Sequence, residues 1–225
     1  EMIIQKVPYH LHEQKEDHLA YGFNTVDHIE YDTKSYKITN KKYIKRWNLI
    51  PNPKEASLYE KGVPVAPEVP IKVWISPLTP APFVESVKQA LEQWEQVLEE
   101  AGWKSVFELV DDETQGYKKI NFYWGNGTSE REMESSIVEN QVTGELIAAR
   151  VNFMDTPAKL NLKQYLLLCG ENDPKILKDP NSLERRKDIL TQRLASVVGE
   201  LLGIKKNYPA VTAFSIEQLQ DREWL

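Results

Sequence analysis

Two long amphipathic segments, separated by four short apolar runs, limit most strongly how this chain can fold. In residues 82–101 the apolar side chains recur at spacings of three and four, as on one face of an α-helix, and residues 183–202 show the same spacing. Each segment ends beside a glycine, Gly102 or Gly203, which is typical of a helix C-terminus. We therefore predict two long helices, each with one apolar face that must be covered.

Short runs rich in β-branched and aromatic residues predict the strands. They lie at residues 71–76, 106–110, 119–124, 135–139 and 145–153, and a turn containing Thr143 and Gly144 joins the last two. The resulting order is strand, helix, four strands, helix. This order predicts an α/β (α+β) fold with a mixed sheet of about five strands and both helices packed on the same face.

The region before residue 71 has a different character. Residues 1–50 alternate polar and apolar positions, which predicts an N-terminal β-rich arm. Residues 51–70 contain five prolines, too many for a helix, and predict an extended connector. Because 225 residues of which 41% are hydrophobic suffice for one sizeable core, we expect residues 71–225 and the arm to form one structural unit.

Composition excludes two classes of partner. The net charge of -6 argues against a nucleic-acid-binding protein, because no run of lysine and arginine is dense enough to offset it. No stretch approaches 18 apolar residues, so we expect no membrane span. The single cysteine, Cys169, cannot form an internal disulfide.

The end of the second predicted helix, "RLASVVGELLGIKKNY" at residues 193–208, has the spacing of a zinc-protease motif. In that motif, H-E-x-x-H-x-x-G-x-x-H, two histidines one helical turn apart and a third after the glycine bind zinc, and the glutamate acts as general base. Aligned on the glycine, the five motif positions here are Ser196, Val197, Glu200, Gly203 and Lys206.

Several further runs match one family in the same order. Together with "GIKKNY", these runs resemble the large secreted bacterial zinc-dependent metalloproteases. They are "YIKRWNL" at 43–49, "ALEQWEQVLEEAGW" at 90–103, "SSIVENQVTGELIAARV" at 135–151 and "FSIEQLQDREW" at 214–224. The resemblance covers roughly residues 20–225 and implies a zincin-like (metzincin-like) fold, a zinc cofactor in active relatives, and an extracytoplasmic location, periplasmic or secreted. In such relatives an edge strand pairs with the extended substrate peptide. The corresponding residues are Ser135, Ser136, Ile137, Val138 and Glu139.

The departures from the motif bear on activity. Ser196 is a poor zinc ligand, Val197 cannot act as a base, and Lys206 would bring a positive charge against the metal. Glu200 alone cannot hold zinc. The sequence also ends before the Met-containing turn that such proteases place beneath their metal. We therefore expect a pseudo-metalloprotease with no catalytic residue and no metal, in which Lys206 pairs with Glu200 at the former metal position.

Two functions remain open from the sequence. The first is a peptide- or protein-binding module that uses the former substrate cleft. The alternative is a zinc-dependent metallopeptidase completed by a missing region, a partner chain or unusual ligands. His10 and His12 would share one face of a strand and could form an adventitious metal site, although exposed polar residues on a β arm explain them more simply. The acidic run of Asp111, Asp112 and Glu113 is interpreted as a solvated loop.

Overall fold

The computed structural model describes residues 13–17, 22–113, 116–125, 133–154, 165–167, 170, 178–179, 182–205 and 215–220. The strands are β1 Thr25–Asp32, β2 Lys37–Ile44, β3 Arg46–Trp47, β4 Ile71–Ile75, β5 Phe107–Val110, β6 Lys119–Gly125, β7 Met133–Glu139 and β8 Glu145–Met154. The helices are α1 Ala56–Tyr59, α2 Ala81–Glu100, α3 Leu183–Leu201 and α4 Ile216–Gln220.

The main sheet has six strands and mixed direction, which confirms the predicted α/β class. Its order is β3-β8-β6-β4-β5 with every neighbouring pair parallel, and β7 pairs antiparallel with β8. The prediction of about five strands missed β3. This strand is two residues long and pairs Arg46 with Glu145 and Trp47 with Leu146, so it is too short to show a periodic pattern.

Helices α2 and α3 pack against each other and on the same face of the sheet, as the apolar patterns predict. The indole Nε1 of Trp94 on α2 donates to the carbonyl oxygen of Ala195 on α3 at 2.6 Å. The core beneath the two helices is formed by alternate residues of the central strands. Its fully buried members include Ile71, Val73, Ile120, Val151 and Val198.

The opposite face of the sheet, called the polar face here, carries mainly polar residues on β6 and β8. Because successive side chains in a strand alternate between faces, the residues between the core positions point away from the helices. They include Lys119, Asn121 and Tyr123 on β6 and Arg150 and Asn152 on β8. This polar face matters for the site described below.

The N-terminal part joins the main body through its backbone. β1 and β2 form a separate two-stranded antiparallel sheet, which agrees with the predicted β-rich arm. The following residues enter the main sheet as β3, where Trp47 is buried. The predicted connector, residues 51–70, is not extended throughout, since α1 forms one helical turn that fits between Pro53 and Pro64.

Within the described ranges, none of the helices combines the length and apolar character needed to cross a membrane. Cys169 lies outside those ranges.

Candidate functional site

The C-terminal end of α3 is held by the N-terminal part of the chain. Gly203 has a φ of 88°, in the left-handed region that favours glycine. A Cβ atom at this position would lie 2.1 Å from the carbonyl oxygen of Lys45. The N–H of Asn24 donates to the Gly203 carbonyl oxygen at 2.8 Å, and Nε1 of Trp47 donates to the carbonyl oxygen of Leu201 at 2.8 Å. The predicted helix stop at Gly203 is therefore confirmed, and its environment admits only glycine.

Three of the motif positions lie on the last turns of α3. Ser196 is exposed, whereas Val197 and Glu200 are half-buried. Val197 packs against the margin of the hydrophobic core, so its side chain contributes to packing. Ser196 and Glu200 are four residues apart and share one face of the helix.

These positions do not fit a catalytic zinc ion. Such an ion takes three protein ligands, drawn from imidazole, thiolate and carboxylate groups, and the described positions supply one carboxylate and a neutral hydroxyl. No cluster of three or more His, Cys, Asp or Glu side chains suited to a metal is found among the described residues.

Several of the predicted residues lie outside the described ranges. Lys206 is one of them, and its expected ion pair with Glu200 therefore lies outside as well. His10 and His12 are also outside. His28 is described; it is half-buried, and its ring centroid lies 5.5 Å from that of Tyr43. Its place is on the small β1–β2 sheet.

β7 contains the predicted edge-strand residues and extends two residues further at its start. It runs antiparallel to β8, from Met133 opposite Phe153 to Glu139 opposite Leu146. In the described part of the chain no other strand pairs with β7, so it forms one edge of the main sheet. Along such a strand, alternate residues direct their backbone N–H and C=O groups toward the neighbour and the others direct them outward.

The side chains of β7 divide between the two faces of the sheet. Ile137 packs against the core on the helix side, and Ser135 has the same parity. Ser136 and Val138 belong to the opposite, polar face, where Val138 is 57% exposed. α3 contacts β7, so the structure brings the two predicted site segments next to each other.

Glu139 is engaged in an ion pair. Its Oε1 atom lies 2.5 Å from Nζ of Lys45, and Nε2 of Gln141 donates to the same oxygen at 3.0 Å. The Lys45 and Glu139 side chains are only 21% and 12% exposed. Lys45 thus fixes the end of β7 through its side chain and contacts Gly203 through its carbonyl group. Glu139 serves to anchor the strand.

The sequence analysis missed a depression of about 320 Å³ on the polar face of the sheet. Its floor is formed by β6 and β8, and residues of β7 and the loop after β5 form its sides. The polar side chains that line it are those of Glu113, Lys119, Asn121, Tyr123, Ser136 and Arg150. The sequence contains part of the signal, because the polar residues Lys119 and Asn121 alternate with the apolar residues Ile120 and Phe122.

Tyr123 and Arg150 are in direct contact within this depression. The guanidinium carbon of Arg150 lies 3.9 Å from the centroid of the Tyr123 ring, and Nε of Arg150 donates to Oδ1 of Asn152 at 2.8 Å. The Tyr123 hydroxyl donates to a carboxylate oxygen of Glu113. Burial, and then this hydrogen bond, raise the pKa of Tyr123, so the phenol remains neutral near pH 7.

Comparison of the chain with protein-family models, with curated proteins and with solved structures found no match.

Proposed function

We propose that this protein is a zincin-like pseudo-metalloprotease that binds an extended peptide or protein segment along the outer edge of β7. The observation that carries the proposal is the position of β7, an antiparallel strand at the edge of an otherwise parallel sheet and in contact with α3. An exposed edge of this kind recognises an extended peptide through backbone hydrogen bonds, while pockets beside the strand select alternate side chains.

The strand has the length and anchoring that such binding requires. Its seven residues direct a row of about three backbone donors and acceptors away from β8. The Lys45–Glu139 ion pair fixes its C-terminal end, and Ile137 packs against the core. A preformed strand lowers the ordering cost of binding, because only the peptide has to lose conformational freedom.

The exposed side chains of β7 are small or apolar. Ser135 and Ser136 are exposed on opposite faces, and Val138 adds an exposed apolar surface on the polar face. A peptide added to β7 would place alternate side chains next to these residues. We expect a preference for extended, β-branched segments, because large side chains find little depth beside two serines.

The proposal includes no catalysis because of the side chains that α3 offers as metal ligands and as a base. Exposed Ser196, half-buried Val197 and half-buried Glu200 offer no nitrogen ligand, and Val197 leaves no base at the position of the motif's glutamate. Binding energy at β7 would then serve recognition alone.

Two adjacent serines provide a matched test. Of Ser135 and Ser136, one directs its N–H into the β8 ladder and the other directs it outward. Proline at the inner position should lower the free energy of unfolding by roughly 2 kcal/mol or more, whereas proline at the outer position should be tolerated as on other edge strands. The outer Ser→Pro variant keeps the fold and removes one donor from the proposed binding edge.

Peptide binding is then measured with that variant. Random seven-residue peptides are selected on the wild-type protein, and the affinity of the best synthetic peptide is measured by fluorescence anisotropy. The outer proline should weaken binding by roughly tenfold or more, whereas alanine at the same position, which keeps the N–H, should leave it unchanged. Equal binding to the proline and alanine variants would refute the edge as the binding site.

Zinc content and peptide cleavage separate this proposal from the metallopeptidase alternative. The protein is purified without chelator and analysed for metal, and the selected peptide is incubated with it and examined for hydrolysis. We expect neither stoichiometric zinc nor cleavage. Stoichiometric zinc accompanied by cleavage would establish the enzyme instead.

A further inference from the structure

The polar face of the main sheet contains a second candidate site that is independent of the backbone edge of β7. It is the depression of about 320 Å³ between the loop after β5 and the side chains of β7. Its volume lies at the lower end of the roughly 300–1,000 Å³ typical of small-ligand sites. A site of this size suits a small molecule rather than a folded partner.

Arg150 is held in one orientation within it. Its Nε atom donates a hydrogen bond to Oδ1 of Asn152, and its guanidinium carbon lies over the Tyr123 ring, 3.9 Å from the ring centroid. Neither Nη atom donates to a described residue, although the side chain is exposed. Because the guanidinium is already oriented, little side-chain freedom is lost when its two outer nitrogens bind a ligand.

The Tyr123 ring beneath Arg150 makes contacts of its own. The Tyr123 ring makes an edge contact with Trp74 at 5.2 Å between centroids, and Trp74 is buried. The Tyr123 hydroxyl donates to Glu113 and lies 3.4 Å from Nδ2 of Asn121. The aromatic platform is therefore fixed by contacts at both ends.

The charge of the depression selects the class of ligand. Arg150 and Lys119 contribute two positive charges to its lining and Glu113 contributes one negative charge, so the lining carries a net positive charge. The two Nη atoms of a guanidinium match the paired oxygens of a carboxylate or phosphate group. Ser136, which faces Arg150 across the β7–β8 pair, adds a hydroxyl donor at the margin.

We propose that this depression binds a small molecule through an oxyanion group, a carboxylate or a phosphate, held by the guanidinium of Arg150 on the Tyr123 platform. This site uses side chains on the polar face, whereas peptide binding at β7 uses backbone groups at the edge. Either can therefore be present without the other.

The test is a titration of the full chain followed by two-dimensional ¹H–¹⁵N NMR, with inorganic phosphate and with acetate as separate probes. Chloride keeps the ionic strength constant, so that general screening does not contribute. We expect saturable shifts confined to amides of β6, β8 and the loop after β5. Tighter binding of phosphate identifies a phosphate-bearing ligand, and tighter binding of acetate identifies a carboxylate.

Variants assign the binding to Arg150. Arg150→Gln should weaken binding of the favoured probe by roughly tenfold or more, and Arg150→Lys, which keeps the charge without the fork, should weaken it less. Arg185→Gln is the matched control, because Arg185 also lies near a tyrosine ring, 5.8 Å from the centroid of Tyr165, but on α3. Absence of saturable shifts with both probes, or equal affinity in wild type and Arg150→Gln, would overturn the proposal.

Discussion

Gly203 and Lys45 approach so closely that a single methyl group at residue 203 would lie 2.1 Å from the Lys45 carbonyl oxygen. The neighbour in this contact is backbone and cannot move aside as a flexible side chain would. Lys45 also binds Glu139 through its ammonium group, at 2.5 Å. One residue of the N-terminal segment therefore connects the end of α3 with the end of β7, the two elements that carry the proposed peptide site.

Replacement of this glycine should be severely destabilising. Gly203→Ala introduces both a left-handed residue with a side chain and a clash with backbone, and we expect a loss of about 3 kcal/mol or more in the free energy of unfolding. Chemical denaturation measures it. Gly62→Ala is the control, because Gly62 also has a positive φ, 76°, but no atom within 4 Å of its Cβ position. Equal losses in the two variants would contradict the role of the Lys45 contact.

The packing of α2 on α3 depends on a second glycine. A Cβ atom at Gly199 would lie 2.6 Å from Cζ2 of Trp94, whose Nε1 donates to Ala195. Alanine favours a helix by about 1 kcal/mol over glycine, yet we expect Gly199→Ala to destabilise the protein by about 1–2 kcal/mol because the indole must move.

A double-mutant cycle separates these two effects. In a Trp94→Phe background, which removes the second ring, Gly199→Ala should be neutral or stabilising. Thermal and urea denaturation of the four proteins gives the coupling energy. Additive effects would mean that the indole does not set the helix spacing at this point.

Burial of Tyr117 should make the protein sensitive to alkaline pH. Burial, and then the hydrogen bond from its hydroxyl to Glu145 at 2.6 Å, raise the pKa of Tyr117 in the folded state. In the unfolded chain a tyrosine loses its proton near pH 10. Above that pH the unfolded state binds fewer protons than the folded state, so the contribution of Tyr117 to stability falls as pH rises.

The measurement compares wild type with Tyr117→Phe between pH 8 and 11, a range of about 2 units below to 1 unit above the tyrosine reference pKa. The free energy of unfolding of the wild type should fall relative to that of the variant above about pH 10. The difference between the two proteins limits the contribution of the neighbouring Lys118, which both proteins contain. Burial lowers the pKa of Lys118, so its effect on stability as pH rises has the opposite sign. A difference that does not change with pH would mean that Tyr117 ionises equally in both states.

The major elements of the fold follow from local patterns. Periodicity places α2 within one residue of its observed ends, and alternating or apolar runs find β4, β6 and β8. β3 and the role of Lys45 could not be predicted in this way. They depend on pairing with residues about a hundred or more positions away, and the local sequence around residues 45–47 shows nothing of this pairing.

The site was predicted only in part. Gly203 was found because a helix end and a motif coincide there, and β7 was found from its strand pattern. Val197 and Glu139 were expected near a binding surface. Instead, Val197 packs against the core and Glu139 forms an ion pair with Lys45. The depression around Arg150 was missed because residues 119–123 and 150–152 come together only through the β6–β8 register.

Restoring the motif tests the zincin-like proposal directly. Ser196→His, Val197→Glu, Glu200→His and Lys206→His together should create a zinc site if the backbone after Gly203 is zincin-like, since the helix places residues 196 and 200 one turn apart and ends beside Gly203. Titration with zinc measures the affinity. We expect weak protease activity or none.

The matched control for this design is Gln192→His with Ser196→His. It creates the same i, i+4 histidine pair on α3 one turn earlier, without the third histidine that follows Gly203. If the backbone after Gly203 has zincin-like geometry, the fourfold variant should bind zinc at least about tenfold more tightly than this pair, since a third ligand adds more than the roughly 1.4 kcal/mol that tenfold requires. A folded fourfold variant that binds zinc no better than the control pair would show that residue 206 does not return toward α3, and the proposed relationship to zincins would lose its geometric basis.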